Sequence, residues 1–589
     1  VAALAALGAG AASGAVGDLS YQDCISGETA SAGCTQVAAA TADGQSSGLA
    51  VLSAIEASGD GRSVYAVSRG DAAVSHFRRN RNTGALTYIG CISGETESAP
   101  ACDQIPGAAS GATGSGMTNP DDLGLSPDGR SLYVASGPDD AVSVFRRNRQ
   151  TGALSFAGCI SGRDDVTPCT LIADSTPTGT NSGLDNLNGV VVSRDGKSVY
   201  AVSSTDADVA RFRRSPDGSL DYRGCIGADS DTPCQQIPGA VAGGLDTGFD
   251  SLGELALSPD GRSLYTVSDS SEAVGEFGRK GNGALSFRRC VTGATSITNC
   301  TPIPGATPNG DGTGLRSIVH VDVSPDGNSV YTAADSDEAV AHFDRAKSGR
   351  LRFRGCFIGA STPTLCTPVP GATPNAADSG MDHTVWVEVA PDARTVYSVG
   401  ASDSAINSFR RNPKTGELTA LGCLSGETEA TPCTQLPGAA PAGADTGFGD
   451  PRSITTSPDG TSLYGASSDD AAVSRFDREP DADGPRLKAK ARKRQRGRKV
   501  VVKVRCRNEL CAKLVGKGKL KAGGKRAKLK KAKRTDVAAG GGTKLRLRLG
   551  GKASKALRRS GRGRAKLKII GRDLLGNRTK RTAKVALRG

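Results

Sequence analysis

A period of 65 to 68 residues governs most of this 589-residue chain. Seven turn aspartates mark it: Asp60, Asp128, Asp195, Asp260, Asp326, Asp392 and Asp459. Five residues after each stands a tyrosine (Tyr65, Tyr133, Tyr200, Tyr265, Tyr331, Tyr397, Tyr464), and seventeen after it a phenylalanine (Phe77, Phe145, Phe212, Phe277, Phe343, Phe409, Phe476). A fixed period of this size specifies a modular array or ring, because one unit alone cannot bury its apolar face.

The second repeat shows what a unit contains. Leu123-Gly124-Leu125 leads into the turn Ser126-Pro127-Asp128-Gly129, then Ser131–Ser136, a Pro138-Asp139-Asp140 turn, Ala141–Phe145, another turn, and Leu154–Phe156. Short β-rich runs separated by Gly, Pro, Asn and Asp read as a meander of four antiparallel strands. Four strands are one blade of a β-propeller, with roughly twenty residues left over beyond the usual ~40–45. Leu19-Ser20-Tyr21 matches the fourth strand, and the last repeat, Pro451 to Phe476, lacks one. The fold class expected is therefore all-β: a seven-bladed β-propeller closed by the N-terminal strand, with a small β-sandwich after it. Such closure hides sheet edges.

The cysteines come as eight local pairs: Cys24 with Cys34, Cys91 with Cys102, Cys159 with Cys169, Cys225 with Cys234, Cys290 with Cys300, Cys356 with Cys366, Cys423 with Cys433, and Cys506 with Cys511. With only four histidines, disulfides are expected rather than zinc. The first seven pairs fall in the surplus residues after strand four and are read as staples of long loops. Eight disulfides imply an oxidising compartment. Residues 1–17 are apolar and uncharged, like the remnant of a signal peptide. No apolar run reaches the length of a membrane span. No cofactor is expected. Calcium would need the turn carboxylates to converge, and no metal site is assigned.

The net charge of +14 hides two opposite halves. Residues 485–589 hold 40 Lys and Arg against Glu509, Asp536 and Asp573, and the preceding residues hold 34 against 57 Asp and Glu. The domain reading is 1–17 leader, 18–479 propeller, 480–498 basic linker and 499–589 basic β-sandwich. Runs such as Lys544-Leu545-Arg546-Leu547-Arg548-Leu549 alternate with period two, the pattern of half-buried strands, and Ser554 to Arg559 is read as a short crossing helix. The segment Asp573 to Asn577 resembles a turn of bacterial immunoglobulin-like domains. An excess of cations outside the cell suits an anionic wall polymer or lipid head groups. No aromatic residue follows Phe476, so stacking platforms for single-stranded nucleic acid are missing. Docking of this basic domain on acidic turns of the propeller, such as Asp139-Asp140 and Asp469-Asp470, is the internal alternative. The turns after strand three, Phe145-Arg146-Arg147 and Phe409-Arg410-Arg411, lie on the opposite face and make it arginine-rich.

The repeat Ser126-Pro-Asp-Gly-Arg-Ser-Leu-Tyr133, with Thr151-Gly-Ala-Leu-Ser-Phe156 and Arg411-Asn-Pro-Lys-Thr415-Gly416, resembles the lactonase-like propeller family that includes 6-phosphogluconolactonase-type enzymes. The resemblance covers residues 18–479 and implies a sugar lactone or similar ester as substrate if the activity is kept. Chemistry would sit where first strands meet the central channel. Six residues before each turn aspartate the residue varies: Ala54, Asp122, Gly189, Glu254, His320, Trp386, Ser453. Asp122, Glu254 and His320 supply a candidate general base and its orienter; Trp386, with His383 and Arg452 nearby, completes the candidate binding set, and Arg452 is placed to stabilise an oxyanion. His76 and His342 read as structural. Three functions stay open: a secreted or surface binding and scaffold protein, with a small-molecule or protein ligand at the channel; a secreted lactonase; and a purely structural envelope component. A monomer is expected.

Overall fold

The structure is a computed structural model describing residues 15–31, 33–96, 101–361, 365–430 and 432–589. Most of the expected leader, residues 1–14, lies outside the described residues. The chain is all-β, with one α-helix, Gly551–Ser560, among the described residues.

Among the described residues seven five-stranded sheets follow one another, six of them each built from five strands consecutive in the chain. Sheet 1 is Leu52–Ala57, Ser63–Ser68, Ala73–Arg79, Leu86–Glu95 and Asp103–Ala109. Four strands run antiparallel as expected, and a fifth pairs parallel with the fourth. The fifth strand corrects the four-strand reading and accounts for the surplus residues. Parallel neighbours ordinarily need a crossover of a dozen residues or more. Here a short loop suffices, and a disulfide joins the two strands at its base in every sheet.

All eight expected cysteine pairs are bonded. Cys24 joins Cys34, Cys91 joins Cys102, Cys159 joins Cys169, and Cys225 joins Cys234. Cys290 joins Cys300, Cys356 joins Cys366, Cys423 joins Cys433, and Cys506 joins Cys511. Their structural setting corrects the loop-staple reading. Cys24, Cys91, Cys159, Cys225, Cys290, Cys356 and Cys423 lie within the fourth strands. Cys169 opens a fifth strand, and Cys34, Cys102, Cys234, Cys300, Cys366 and Cys433 each stand one residue before theirs. The bridges therefore hold a strand pair, not a free loop. The sequence hid this because the fifth strands look like loops.

The seventh sheet takes Pro451–Thr456, Ser462–Ser467 and Ala472–Arg478 from the end of the repeats and Leu19–Glu28 and Thr35–Thr41 from the start. Leu19 pairs with Arg478 and Tyr21 with Phe476. The innermost strands neighbour one another in cyclic order, the first touching the last, as in a β-propeller. The apolar core lies between sheets: each Phe packs with the Tyr of the preceding repeat, as Phe145 does with Tyr65 and Phe77 with Tyr464.

A polar lattice repeats at the same junctions. Arg147 donates from Nε to the Tyr65 hydroxyl and from both Nη atoms to Asp60, while Tyr65 donates to the Gly152 carbonyl. Arg214 with Tyr133 and Asp128, and Arg411 with Tyr331 and Asp326, repeat the pattern. The arginine-rich face is therefore partly consumed: the second arginine of each Arg-Arg pair is buried between sheets. Turn chemistry likewise occupies the aspartates of the opposite face. Asp71 accepts backbone N–H groups from Ser46, Gly48 and Ala50.

The C-terminal unit contains a three-stranded and a six-stranded sheet around one core that includes Cys506 and Cys511. Two pieces of the segment read as linker are strands of this unit. Leu487–Lys490 pairs with Lys499–Cys506, and Arg494–Arg496 pairs with Arg578–Arg588. The first alternates, with Leu487 buried, which the charge run masks in the sequence; the second, Arg494-Gln495-Arg496, has no apolar residue to betray it.

Candidate functional site

The channel is lined by residues of the innermost strands. Asp122, Glu254, His320 and Trp386 border one cavity of 640 Å³. Ala54 and Ser453 are buried instead, and Ser453 Oγ accepts the Ile55 N–H at 3.2 Å. His383 and Arg452 do not join this cavity. His383 Nδ1 lies 3.1 Å from Asp335, and Arg452 pairs with Asp450 at 2.5 Å, both at the starts of inner strands. The expected six-residue set is thus divided, and Arg452 is not brought to the carboxylates it was to assist.

The disulfides stand apart from this channel. Cys34, Cys102, Cys169, Cys300, Cys366 and Cys433 join the outermost two strands of their sheets, at the opposite end of the strand order from the innermost strands. Their role is to hold the rim of the ring, and none borders the cavity.

Three residues missed by the sequence reading complete the lining: Glu56, Asp322 and Glu388. They stand four residues before their turn aspartates, two beyond the varied position. Alternate residues of a strand share a face, so stepping the same comparison by two would have found them.

These carboxylates share a structural duty. An innermost strand is paired on one side only, leaving N–H groups that need acceptors. Glu56 accepts the Leu125 N–H at 2.7 Å, Asp122 that of Val190 at 2.9 Å, Asp322 that of Val389 at 2.7 Å, and Glu388 that of Thr456 at 2.7 Å. Each thereby stitches its sheet to the next. Burial pushes Glu56 and Glu388 up to about 8 and Asp322 to about 6. His320 is lowered to about 3 by burial, so it is neutral near pH 7. Its Nδ1 faces the Val387 N–H at 3.4 Å, and its ring stacks on Trp386 with centroids 3.7 Å apart.

Asp122 and Glu254 form a carboxyl pair reaching past sheet 3. Gly189 makes room for it: a Cβ there would stand 2.2 Å from Glu254 Oε2. Burial first, then the Asp122 charge, raises Glu254 well above the usual range, and burial raises Asp122 as well. Two carboxyls set this close and this deeply buried disfavour being ionised together.

The C-terminal unit meets the ring at this mouth. Leu574, from the turn between Arg562–Arg572 and Arg578–Arg588, borders the channel cavity beside Pro127, Pro259 and Pro325. Arg394 of the ring lies 2.8 Å from Asp481 and 3.5 Å from Glu509, and Asn577 Nδ2 donates to the Asp481 carbonyl. This corrects the expectation of basic residues docking on acidic turns. The junction lies on the face of the Pro-Asp-Gly turns, and buried acids of the basic unit, Glu509 and Asp573, sit there.

With these acids withdrawn, the outer face of the six-stranded sheet is cationic. Lys528 pairs with Lys519, Lys519 with Lys566, and Lys566 with Lys584. All four are exposed. The next rows hold Arg526, Lys521 and Arg564, and Lys517 with Lys568. Like charges directly opposite one another destabilise a sheet. A groove of 600 Å³ runs along this face, with Lys493, Lys519, Lys521, Arg564, Lys566 and Lys584 in its walls.

No protein-family profile matches the chain, and no curated protein matches it. Among solved structures it is similar to a proposed 6-phosphogluconolactonase of Bacteroides uniformis (18% identity, 62% of this chain and 83% of that one, TM-score 0.41). A periplasmic gluconolactonase of Pseudomonas aeruginosa is similar at 18% identity, over 63% and 84%, with TM-score 0.41. The C-terminal WD40 domain of Sif2 is similar at 10% identity, over 79% and 99%, with TM-score 0.40.

Proposed function

We propose that the chain is an exported binding and scaffold protein. A disulfide-stapled seven-bladed propeller carries an immunoglobulin-like basic β-sandwich that attaches it to an anionic polymer of the cell envelope. The observation that carries this reading is the row Lys528–Lys519–Lys566–Lys584, one exposed lysine on each of four adjacent strands. Neighbouring strands are ~4.8 Å apart, so the row is a dense line of charge that costs stability until an anion neutralises it. Flexible phosphate-bearing chains suit it, since the absence of aromatic residues after Phe476 removes base stacking. Eight disulfides agree with an oxidising location. The test is retention of the full chain on immobilised poly(glycerol phosphate), with neutral dextran as control. Retention on the first alone is expected; equal behaviour on both contradicts the reading, and preference for anionic lipid vesicles over the polymer reassigns the partner.

A second reading, hydrolysis of a sugar lactone or similar ester in the channel, draws on the Asp122–Glu254 pair and neutral His320. Paired carboxyls pushed to different protonation states are suited to acid–base work. Base uptake in a pH-stat over a panel of lactones tests it. Turnover abolished by Glu254→Gln supports it, and background rates throughout exclude it for that panel.

A further inference from the structure

We propose that the C-terminal unit holds two strands of anionic polymer at once, one on each outer face, so that the protein cross-links the polymer as well as anchoring to it. The proposal rests on the attachment reading above and adds to it a second site, on the three-stranded sheet.

That sheet consists of Leu487–Lys490, Lys499–Cys506 and Gly542–Arg548. Alternation sorts its side chains into two faces. Val500, Val502, Val504, Leu545 and Leu547 are buried in the core shared with the six-stranded sheet. The residues between them point the other way, and most are cationic. Lys490 pairs with Lys503, and Lys503 with Lys544. The result is a second row with one exposed lysine on each strand. Lys488 opposite Arg505, and Lys499 opposite Arg548, extend it on either side. A groove of 710 Å³ follows the row, with Lys490, Lys503, Arg505, Arg534, Lys544 and Arg546 in its walls. Among the described residues no carboxylate lines it.

The two rows are separate sites. Inward side chains of both sheets meet in one core, so the rows face in opposite directions with the sandwich between them. Packed sheets stand ~10 Å apart, and a short stretch of polymer cannot touch both outer faces. The ring covers neither face. It meets the unit at strand ends, through Leu574 in the turn after Arg562–Arg572 and through Glu509 between Lys499–Cys506 and Cys511–Ala522. Glu509 and Asp573 are buried at that junction, away from both rows.

Each row sets like charges opposite one another, which destabilises its sheet. An anion on the six-stranded face leaves the repulsion between Lys490, Lys503 and Lys544 in place. Relief of both needs a second strand of polymer. With lysines ~4.8 Å apart from strand to strand, the two faces offer the same chemistry to a phosphate-bearing chain.

The test is calorimetric titration of an oligo(glycerol phosphate) of about four units, matched to one row at ~4.8 Å per strand, into the full chain at low salt. About two oligomers per chain are expected, at one per face. The triple variant Lys490→Gln, Lys503→Gln, Lys544→Gln is expected to bind about one, and so is the triple variant Lys519→Gln, Lys566→Gln, Lys584→Gln. Lys503→Gln alone, at the middle of the row, weakens the second binding should the first triple variant fold poorly. Long polymer gives a second readout. Wild type captured on immobilised poly(glycerol phosphate) is expected to retain labelled soluble polymer, whereas the Lys490, Lys503, Lys544 variant is itself captured and retains none. A single oligomer per wild-type chain, or a stoichiometry unchanged by the Lys490, Lys503 and Lys544 substitutions, overturns the proposal and leaves the attachment reading standing. Absence of any binding by the wild type at low salt overturns both.

Discussion

Arg79 and Asp459, 380 residues apart, close the ring with a bidentate ion pair, both contacts at 3.0 Å. Arg79 belongs to the first repeat and Asp459 to the last. Arg79 also donates to the Tyr464 hydroxyl, and Tyr464 to the Gly84 carbonyl. The same triad joins every other consecutive pair of sheets, so circular closure reuses the ordinary inter-sheet contact. Burial alone would raise Asp459; hydrogen bonds from Ser457, Arg79 and Thr461 outweigh it and hold the carboxyl down to about 2. Such a depressed acid contributes stability above its unfolded pKa of about 3.9, and that contribution is lost as pH falls towards 2.

The seven pairs differ in burial, and their energetic weight follows. Asp459 is 38% exposed in its side chain, whereas Asp326 is 2% exposed against a fully buried Arg411. Asp326→Asn leaves a buried guanidinium short of its counter-charge and is expected to cost about 3 kcal/mol or more. Asp459→Asn is expected to cost about 1 kcal/mol. Denaturant midpoints of the two variants check the order.

Asp208 predicts a pH effect of opposite sign. It is fully buried where other repeats carry alanine, and its Oδ1 lies 1.8 Å from the position a Cβ on Gly227 would take. In sheet 1 the residue corresponding to Gly227 is Ser93, whose hydroxyl donates to the Asp71 carbonyl. Burial raises Asp208 from 3.8 to about 8. A raised acid favours the folded state fully below its unfolded pKa, and the benefit disappears as pH rises through about 8. Asp208→Asn is expected to flatten the decline of melting temperature between pH 6 and 9, by a comparison of the two proteins across ~three pH units.

Gly189 is predicted to be intolerant of even one methyl group. Gly189→Ala would force Glu254 off Asp122, costing about 1–3 kcal/mol. Glu254→Gln keeps a donor for Asp122 and is expected to be nearly neutral for stability. Thermal melts of both variants separate this from general fragility of the inner strands, which would penalise them alike.

The lysine row predicts that a loss of charge stabilises the protein. Lys566 stands opposite both Lys519 and Lys584, so Lys566→Gln relieves two repulsions of ~0.2–1 kcal/mol each. A higher melting temperature at low salt, fading at high salt, is expected.

Much of the ring was legible because its determinants recur: the turn aspartates, the Tyr and Phe of each junction, and the missing fourth strand supplied by Leu19–Glu28. The cysteine partners were legible too, since each pair is local in sequence, but what they join was not. The fifth strands explain why. Segments such as Asp103–Ala109 after Cys102 and Thr301–Thr307 after Cys300 contain Pro and Gly and bury a single isoleucine, Ile105 or Ile303, so they read as loops. Proline is tolerated there because the strand lies at the outer edge. The channel residues were half found, since the comparison stopped at one position per strand. Leu574 at the channel mouth and Arg394 beside Glu509 were invisible: they depend on how the C-terminal sheets meet the ring, and no local spacing records that.

The attachment claim is tested most directly by a salt series. Affinity of the full chain for poly(glycerol phosphate) is measured from low to high NaCl, for the wild type and for the triple variant Lys519→Gln, Lys566→Gln, Lys584→Gln. The account predicts affinity falling steeply with salt in the wild type and a slope of log affinity against log salt reduced by about 2 in the variant, at ~0.7 per phosphate contact, while the variant melts no lower. Salt-independent binding, or a variant that binds as tightly as the wild type, would contradict it.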